Sequence, residues 1–257
     1  MSVQISLIGL SFLISDADSG DLVFFHEENL DRTHTSEELS FVLESVFKKH
    51  EPLSGPFKEI TVVFSTIIST VVPKPLFDET KAIEYLKFNS KLLPSDFVAY
   101  DLVENTDWVV VYIPFVNINN FFFERFGTFQ YYHATTLLLD NIVKEHSLSK
   151  EPKAYLHIQK DFFTLSIISD QKLHLCNSYN YQTDEDFIYY LLFGFEQLKL
   201  DPDQVPLSLS GNISQEDSLY ELIYTYIRHV TIPKDMELAG KGTEQVSVKN
   251  FLLNQLR

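Results

Sequence analysis

Hydrophobic positions in the first 66 residues fall into short runs that change period once. Residues 2–7 alternate apolar and polar side chains, Ile8-Gly9 can turn the chain, and residues 10–15 return as a second strand. A turn-forming cluster at 16–21 precedes a third run, 22–26, so the pattern predicts a three-stranded meander. From Thr35 the period becomes helical. Leu39, Val42, Leu43, Val46 and Phe47 share one face, and Glu38, three residues after Thr35, completes a capping box. The segment 52–56 ends that helix. Residues 60–66 form a continuous apolar, β-branched run, as in a strand covered on both faces.

The same series recurs in the second half. Residues 154–159, 163–169 and 172–177 predict three strands, with Asp170-Gln171 as a turn. Thr183 and Asp186 repeat the cap 148 residues after Thr35 and Glu38. Phe187, Tyr190, Leu191, Gly194, Phe195 and Leu198 form the apolar stripe, Asp201-Pro202 breaks the chain, and 205–210 predicts a buried strand. Five elements in one order, with caps at matching places, point to internal duplication. Between the repeats, helices are expected over 78–91, 118–126 (stopped by Gly127) and 134–146, with strands over 108–113 and 128–132. Later, 215–229 predicts a helix, 234–246 a surface loop and 247–256 a short closing helix. Lys150-Glu151-Pro152 marks the expected lobe boundary, giving a first lobe over 1–150, a second over 151–232 and a closing segment over 233–257.

Charge narrows the partners. The chain has 257 residues, 36 acidic against 20 basic, and a net charge of −16. No basic cluster relieves it, so nucleic acid and anionic membrane surfaces are poor partners. A single cysteine, Cys176, excludes an internal disulfide and suits a reducing compartment. No apolar run reaches the roughly 20 residues that a membrane helix needs. With no signal-peptide pattern, a cytoplasmic location is expected.

A meander, a helix, a buried strand and a further helix, occurring twice, resembles the actin-like ATPase fold of the ribonuclease H-like group. The expected class is therefore α/β, with two lobes, each a mixed sheet flanked by helices. Within that group the chain looks closest to the actin-like pilus and secretion assembly proteins, whose strand–helix–strand insert resembles 108–132. It also resembles an uncharacterised family of bacteroidete proteins with this fold, in which Phe129-Gln130-Tyr131-Tyr132-His133 would precede the second lobe. The resemblance implies a cleft between the lobes and, in active members, Mg-ATP held by two hairpins of Asp and Gly-rich sequence. The corresponding stretches here are Ser6-Leu7-Ile8-Gly9-Leu10-Ser11, with one Gly and no carboxylate, and His157-Ile158-Gln159-Lys160-Asp161-Phe162-Phe163, with no Gly. The adenosine-side segment, Ser208-Leu209-Ser210-Gly211-Asn212, keeps one Gly.

All three parts depart from the active pattern together, so no cofactor is expected. The expected function is a non-catalytic, cytoplasmic protein-interaction or assembly scaffold with an unidentified protein partner. The alternative is a divergent nucleotide-binding ATPase or kinase-like protein in which Asp161, Gly211 and Asn212 keep a minimal Mg-ATP site. A small-molecule sensor using the same cleft is a third possibility.

Other chemistry-bearing residues read as structural. His157 and His174 could approach across a sheet, and His133 and His146 fall at the two ends of one helix, but no metal-ligand spacing accompanies them. Asp184-Glu185-Asp186 suits the positive end of a helix dipole. Cys176 has no neighbour that would activate it, and Ser208 and Ser210 lack a nucleophile-elbow context. Phe121-Phe122-Phe123 cannot all face one side of a helix. These three, with Tyr131-Tyr132, suit the core of an aromatic-rich chain first and are otherwise the candidate partner surface.

Overall fold

The computed structural model describes residues 1–87, 92, 96–146, 149–233, 251–254 and 256. Two compact units emerge, the first built on Met1–Leu137 and the second beginning at Leu138. The division falls within a helix, ahead of the Lys150-Glu151-Pro152 link.

In the first unit, β1 (Ser2–Ser6), β2 (Gly9–Ser15) and β3 (Leu22–Asn29) form the expected meander. Helix α1 (Ser36–Lys49) follows, then β4 (Thr61–Phe64), which pairs parallel to β1. A parallel pair needs a long crossover, and α1 supplies it. The Thr35 side chain accepts from Glu38 N, and the Glu38 carboxylate accepts from Thr35 N. Leu39, Leu43, Val46 and Phe47 are buried, and Phe47 meets Phe12 edge-on at 5.8 Å.

After β4 the chain leaves the sheet. β5 (Ser69–Pro73), a short helix α2 (Ala82–Leu86), β6 (Ala99–Leu102) and β7 (Trp108–Tyr112) form a separate antiparallel sheet in the order β5-β7-β6. Helix α3 (Val116–Phe126) then leads to β8 (Gln130–His133), which rejoins the main sheet beside β4. The insert is therefore this three-stranded sheet, and not the strand–helix–strand segment 108–132. β8 belongs to the main sheet because its backbone pairs parallel to β4. Helix α4 (Ala134–His146) has the bounds that its pattern predicts.

The second unit repeats the scheme. β9 (Lys153–Ile158), β10 (Phe162–Ser169) and β11 (Lys172–Asn180) form a meander, with Asp170 and Gln171 both at positive φ in its turn. Helix α5 (Asp184–Gln197), capped by Thr183 and Asp186, crosses over to β12 (Leu207–Gly211), parallel to β9. Helix α6 (Ser218–Tyr226) and the two-residue β13 (Val230–Thr231) complete the sheet. Its order, β11-β10-β9-β12-β13, matches β3-β2-β1-β4-β8 strand for strand. A Cβ on Gly194 would come within 2.5 Å of Leu165 Cδ2, so the missing side chain lets α5 lie close against β10. Its core joins Leu156, Ile158, Leu165, Ile167, Leu207 and Leu209 to Phe187, Leu191 and Phe195.

Two elements differ from the expected bounds, and one segment cannot be compared. The helix expected over 78–91 is a 3-10 turn (Glu79–Lys81) followed by α2, with 88–91 outside the described residues. The helix over 215–229 is shorter at both ends, starting after Asp217 and stopping where Ile227 turns extended, with a two-residue strand beyond it. The loop expected over 234–246 lies outside the described residues, as does half of the helix expected over 247–256, within which α7 (Phe251–Asn254) is helical.

Each capping box satisfies helix-end N–H groups that would otherwise lack partners. Thr35→Ala and Thr183→Ala are each expected to lower unfolding free energy by about 1 kcal/mol in chemical denaturation. Thr→Asn at either position should restore most of the loss.

Candidate functional site

The first hairpin tip is the two-residue turn Leu7-Ile8, whose carbonyls and Ile8 N–H are engaged within the fold. Ser6 Oγ donates to Gly9 O (3.0 Å) and accepts from Ile8 N (3.4 Å). The carbonyls of Leu7 and Ile8 accept from His34 N (2.7 Å) and Leu30 N (3.0 Å), in the link leading to α1. At the second hairpin, Gln159 N donates to Phe162 O (2.8 Å), and Tyr181 donates its hydroxyl to Gln159 O (2.7 Å) and its N–H to Asp161 O (3.2 Å). Among the described residues, none in either tip has a positive φ. A concave array of N–H groups that grips phosphate alternates right- and left-handed residues; neither tip has that alternation.

Gly211 is at φ 87°, and a Cβ there would lie 2.2 Å from Ile158 O. Glycine is required because β12 ends hard against β9, where Asn212 N donates to Ile158 O (2.7 Å). Gly211 and Asn212 thus abut Ile158, three residues before Asp161, so all three predicted site residues gather at one end of the second sheet. The three differ in what they leave free. Gly211 and the Asn212 N–H serve strand packing, whereas Asp161 Oδ1 is buried with no hydrogen-bond partner among the described residues. Burial raises the Asp161 carboxyl above its ordinary range, partly offset by its own backbone N–H and by Lys160.

The face of this sheet opposite α5 carries a buried polar layer. His157 Nδ1 lies 3.0 Å from Ser210 Oγ, and its Nε2 is 2.7 Å from Gln159 Nε2. With the Gln159 amide donating, His157 is the neutral Nδ1–H tautomer. Thr164 and Ser178 share a hydrogen bond (2.8 Å), and Ser166 donates to Cys176 Sγ (3.4 Å). Desolvation lowers His157 to about 4 and raises Cys176 to about 11. Cys176 is therefore an un-ionised thiol and Ser210 a partner of histidine; neither is poised as a nucleophile. Asn141 and Glu145 of α4, together with Tyr155, His157 and Ser208, line a cavity of about 20 Å³. That volume holds about one water and no metabolite.

The remaining candidates separate. His157 pairs across the sheet with Thr164 near the start of β10, whereas His174 reaches Ser169 O near its end, so the two do not meet. No group of three metal-ligating side chains occurs among the described residues. Asp186 completes a cap, and Asp184 and Glu185 occupy the same first turn. Phe122 is fully buried, Phe121 is half-buried against Phe47, and Phe123 is 64% exposed. A Phe122 substitution would therefore disrupt the core; Phe123 is the surface residue of the three.

Sequence reasoning missed a buried carboxylate network in the first unit. Asp101, on β6, accepts from Tyr112 Oη (3.0 Å), His133 N (2.8 Å) and Thr136 Oγ1 (2.7 Å). It sits at the start of α4 and ties the inserted sheet to β8. His133 Nδ1 accepts from Thr135 N (3.1 Å) and Nε2 donates to Thr66 O (3.1 Å), fixing the neutral Nε2–H tautomer; burial lowers its pKa to about 3. The only signal was an Asp within a short apolar run.

Solved structures define the class. A protein of unknown function with an actin-like ATPase fold, from Bacteroides thetaiotaomicron VPI-5482, superposes with a TM-score of 0.84 at 24% identity, covering 99% of this chain and 93% of that one. A structure of the PilM-PilN type IV pilus biogenesis complex superposes with a TM-score of 0.53 at 11% identity, covering 89% and 86%. The fold is that of the actin-like ATPases. Within this class the chain belongs to the DUF3822 family, described as proteins of unknown function, which matches residues 1–230. A search of curated proteins found no match. No helix among the described residues is long and apolar enough to cross a membrane.

His157 is held neutral, so its folded pKa, about 4, lies below the unfolded value of about 6.5. Its contribution to stability is complete above pH 6.5 and is lost as pH falls toward 4. The expected loss is on the order of 3 kcal/mol. His157→Gln should flatten that part of the pH–stability profile in urea titrations. An unchanged slope would contradict a neutral buried histidine.

Proposed function

We propose that this chain is a non-catalytic actin-like-fold protein acting as a protein-interaction or assembly scaffold in the cytoplasm. The observation that carries this reading is the surface of the inserted sheet. Leu76 is 71% and Leu102 54% exposed, with Phe97 and Tyr100 also exposed. Tyr100 and Leu102 alternate with buried Ala99 and Asp101 along β6, so they share the outer face of an edge strand. Apolar side chains on an open strand edge form an adhesive surface unless something covers them. The hairpin tips, with their carbonyls engaged internally, support the same reading, with no cofactor required. The fold-level likeness to a structure of a pilus biogenesis complex is compatible with it.

One observation favours the alternative, a divergent ATPase or kinase-like protein binding Mg-ATP through Asp161, Gly211 and Asn212. A half-buried carboxylate with a free buried oxygen at a hairpin tip is where a hydrated cation could be held.

Two experiments separate these readings. The double variant Leu76→Ser/Leu102→Ser is expected to melt within a few degrees of the parent, because both side chains are exposed. It should lose the cross-links that the parent's inserted sheet forms with a protein partner in cells. Retention of those cross-links, or their absence in the parent, would count against the scaffold. Asp161→Asn is expected to leave the protein at least as stable at pH 7, since burial disfavours the charged carboxylate, and the difference should shrink toward pH 3. A loss of melting temperature seen only with Mg²⁺ present would favour the alternative.

A further inference from the structure

The first unit carries a cationic groove that neither functional reading uses. It has a volume of about 500 Å³, within the range of small-molecule sites, and opens between the segment that follows α1 and the end of α3. Arg125 and Lys58 line it with Ser54 and Thr128, and no carboxylate contributes to the lining. This is unusual on a chain with a net charge of −16. Phe57 and Phe126, edge-on at 5.7 Å, supply its apolar wall.

Arg125 is held in place without an acidic partner. Its guanidinium carbon lies 4.6 Å from the centre of the Phe121 ring and 5.2 Å from that of Phe47. Neither Arg125 nor Lys58 forms an ion pair among the described residues. Aromatic contact orients a guanidinium while leaving its N–H fork available, and that fork matches the paired oxygens of a carboxylate or phosphate. The acidity of the whole chain does not cancel this local field, because charges beyond about 8 Å are screened at physiological salt.

We infer that this groove binds a small organic anion, with a carboxylate or phosphate head on Arg125 and Lys58 and an apolar body against Phe57 and Phe126. This inference is independent of the hairpin tips and of the inserted sheet.

The full chain can be titrated with phenyl phosphate, phenylacetate and neutral benzyl alcohol, following amide chemical shifts. At least one anion should saturate, with shifts centred on residues 54–60 and 125–128, and benzyl alcohol should not. Saturation by one anion alone identifies the head group; saturation by both means that charge and the apolar wall suffice. Lys58→Gln and Arg125→Gln should each weaken binding about tenfold or more. Lys58 makes no ring contact, so its variant remains informative if Arg125→Gln disturbs α3. No saturation by either anion, equal binding of benzyl alcohol, or unchanged affinity in both variants would overturn the inference.

Discussion

Parallel pairing of β1 with β4, and of β9 with β12, is the constraint from which both units follow. Antiparallel neighbours can be joined by two residues, as at Leu7-Ile8 and Asp170-Gln171. A parallel neighbour must be reached by a crossover, and a crossover helix covers one face of the sheet. α1 and α5 are those helices. Their start points are set by Thr35 and Thr183, and their buried faces by Leu39, Leu43 and Phe47 in one unit and Phe187, Leu191 and Phe195 in the other. At Gly211 the same pairing brings β12 so close to β9 that no Cβ fits.

This constraint also accounts for what was legible in the sequence. The caps, the helical stripes and the β-branched run at 60–66 are local signatures, and they mark α1, α5 and β4 within a few residues. β5, β6 and β13 have two to five residues each and lie at sheet edges, too short to show a period. Alternation was the more deceptive signal. In Leu207–Gly211 or Lys153–Ile158 an alternating pattern would ordinarily mark one solvated face, yet both faces are buried. The polar side is accommodated because His157 meets Ser210, Thr164 meets Ser178 and Ser166 meets Cys176. Partners that distant in sequence leave no local trace. The Asp101 network was hidden for the same reason.

At the candidate site, strand packing accounts for part of what the structure places there. Asp161, Gly211 and Asn212 do come to one end of the second sheet. Yet Gly211 is there for a strand approach, and the hairpin carbonyls accept from Tyr181, Leu30 and His34. Both tips carry bulky residues, Phe162 beside Asp161 and Leu7-Ile8 in the first hairpin. Exposed apolar residues lie on both units, among them Leu76 and Leu102 at the inserted sheet, Phe41 on α1, Phe123 on α3 and Tyr189 on α5.

The central claim is that the hairpins have become packing elements and no longer grip phosphate. Isothermal titration of the full chain with Mg-ATP and Mg-ADP tests it most directly. The account predicts no saturable heat and no thermal shift with either nucleotide. Saturable micromolar binding that disappears in Asp161→Ala would contradict it and restore the hairpin as a nucleotide site.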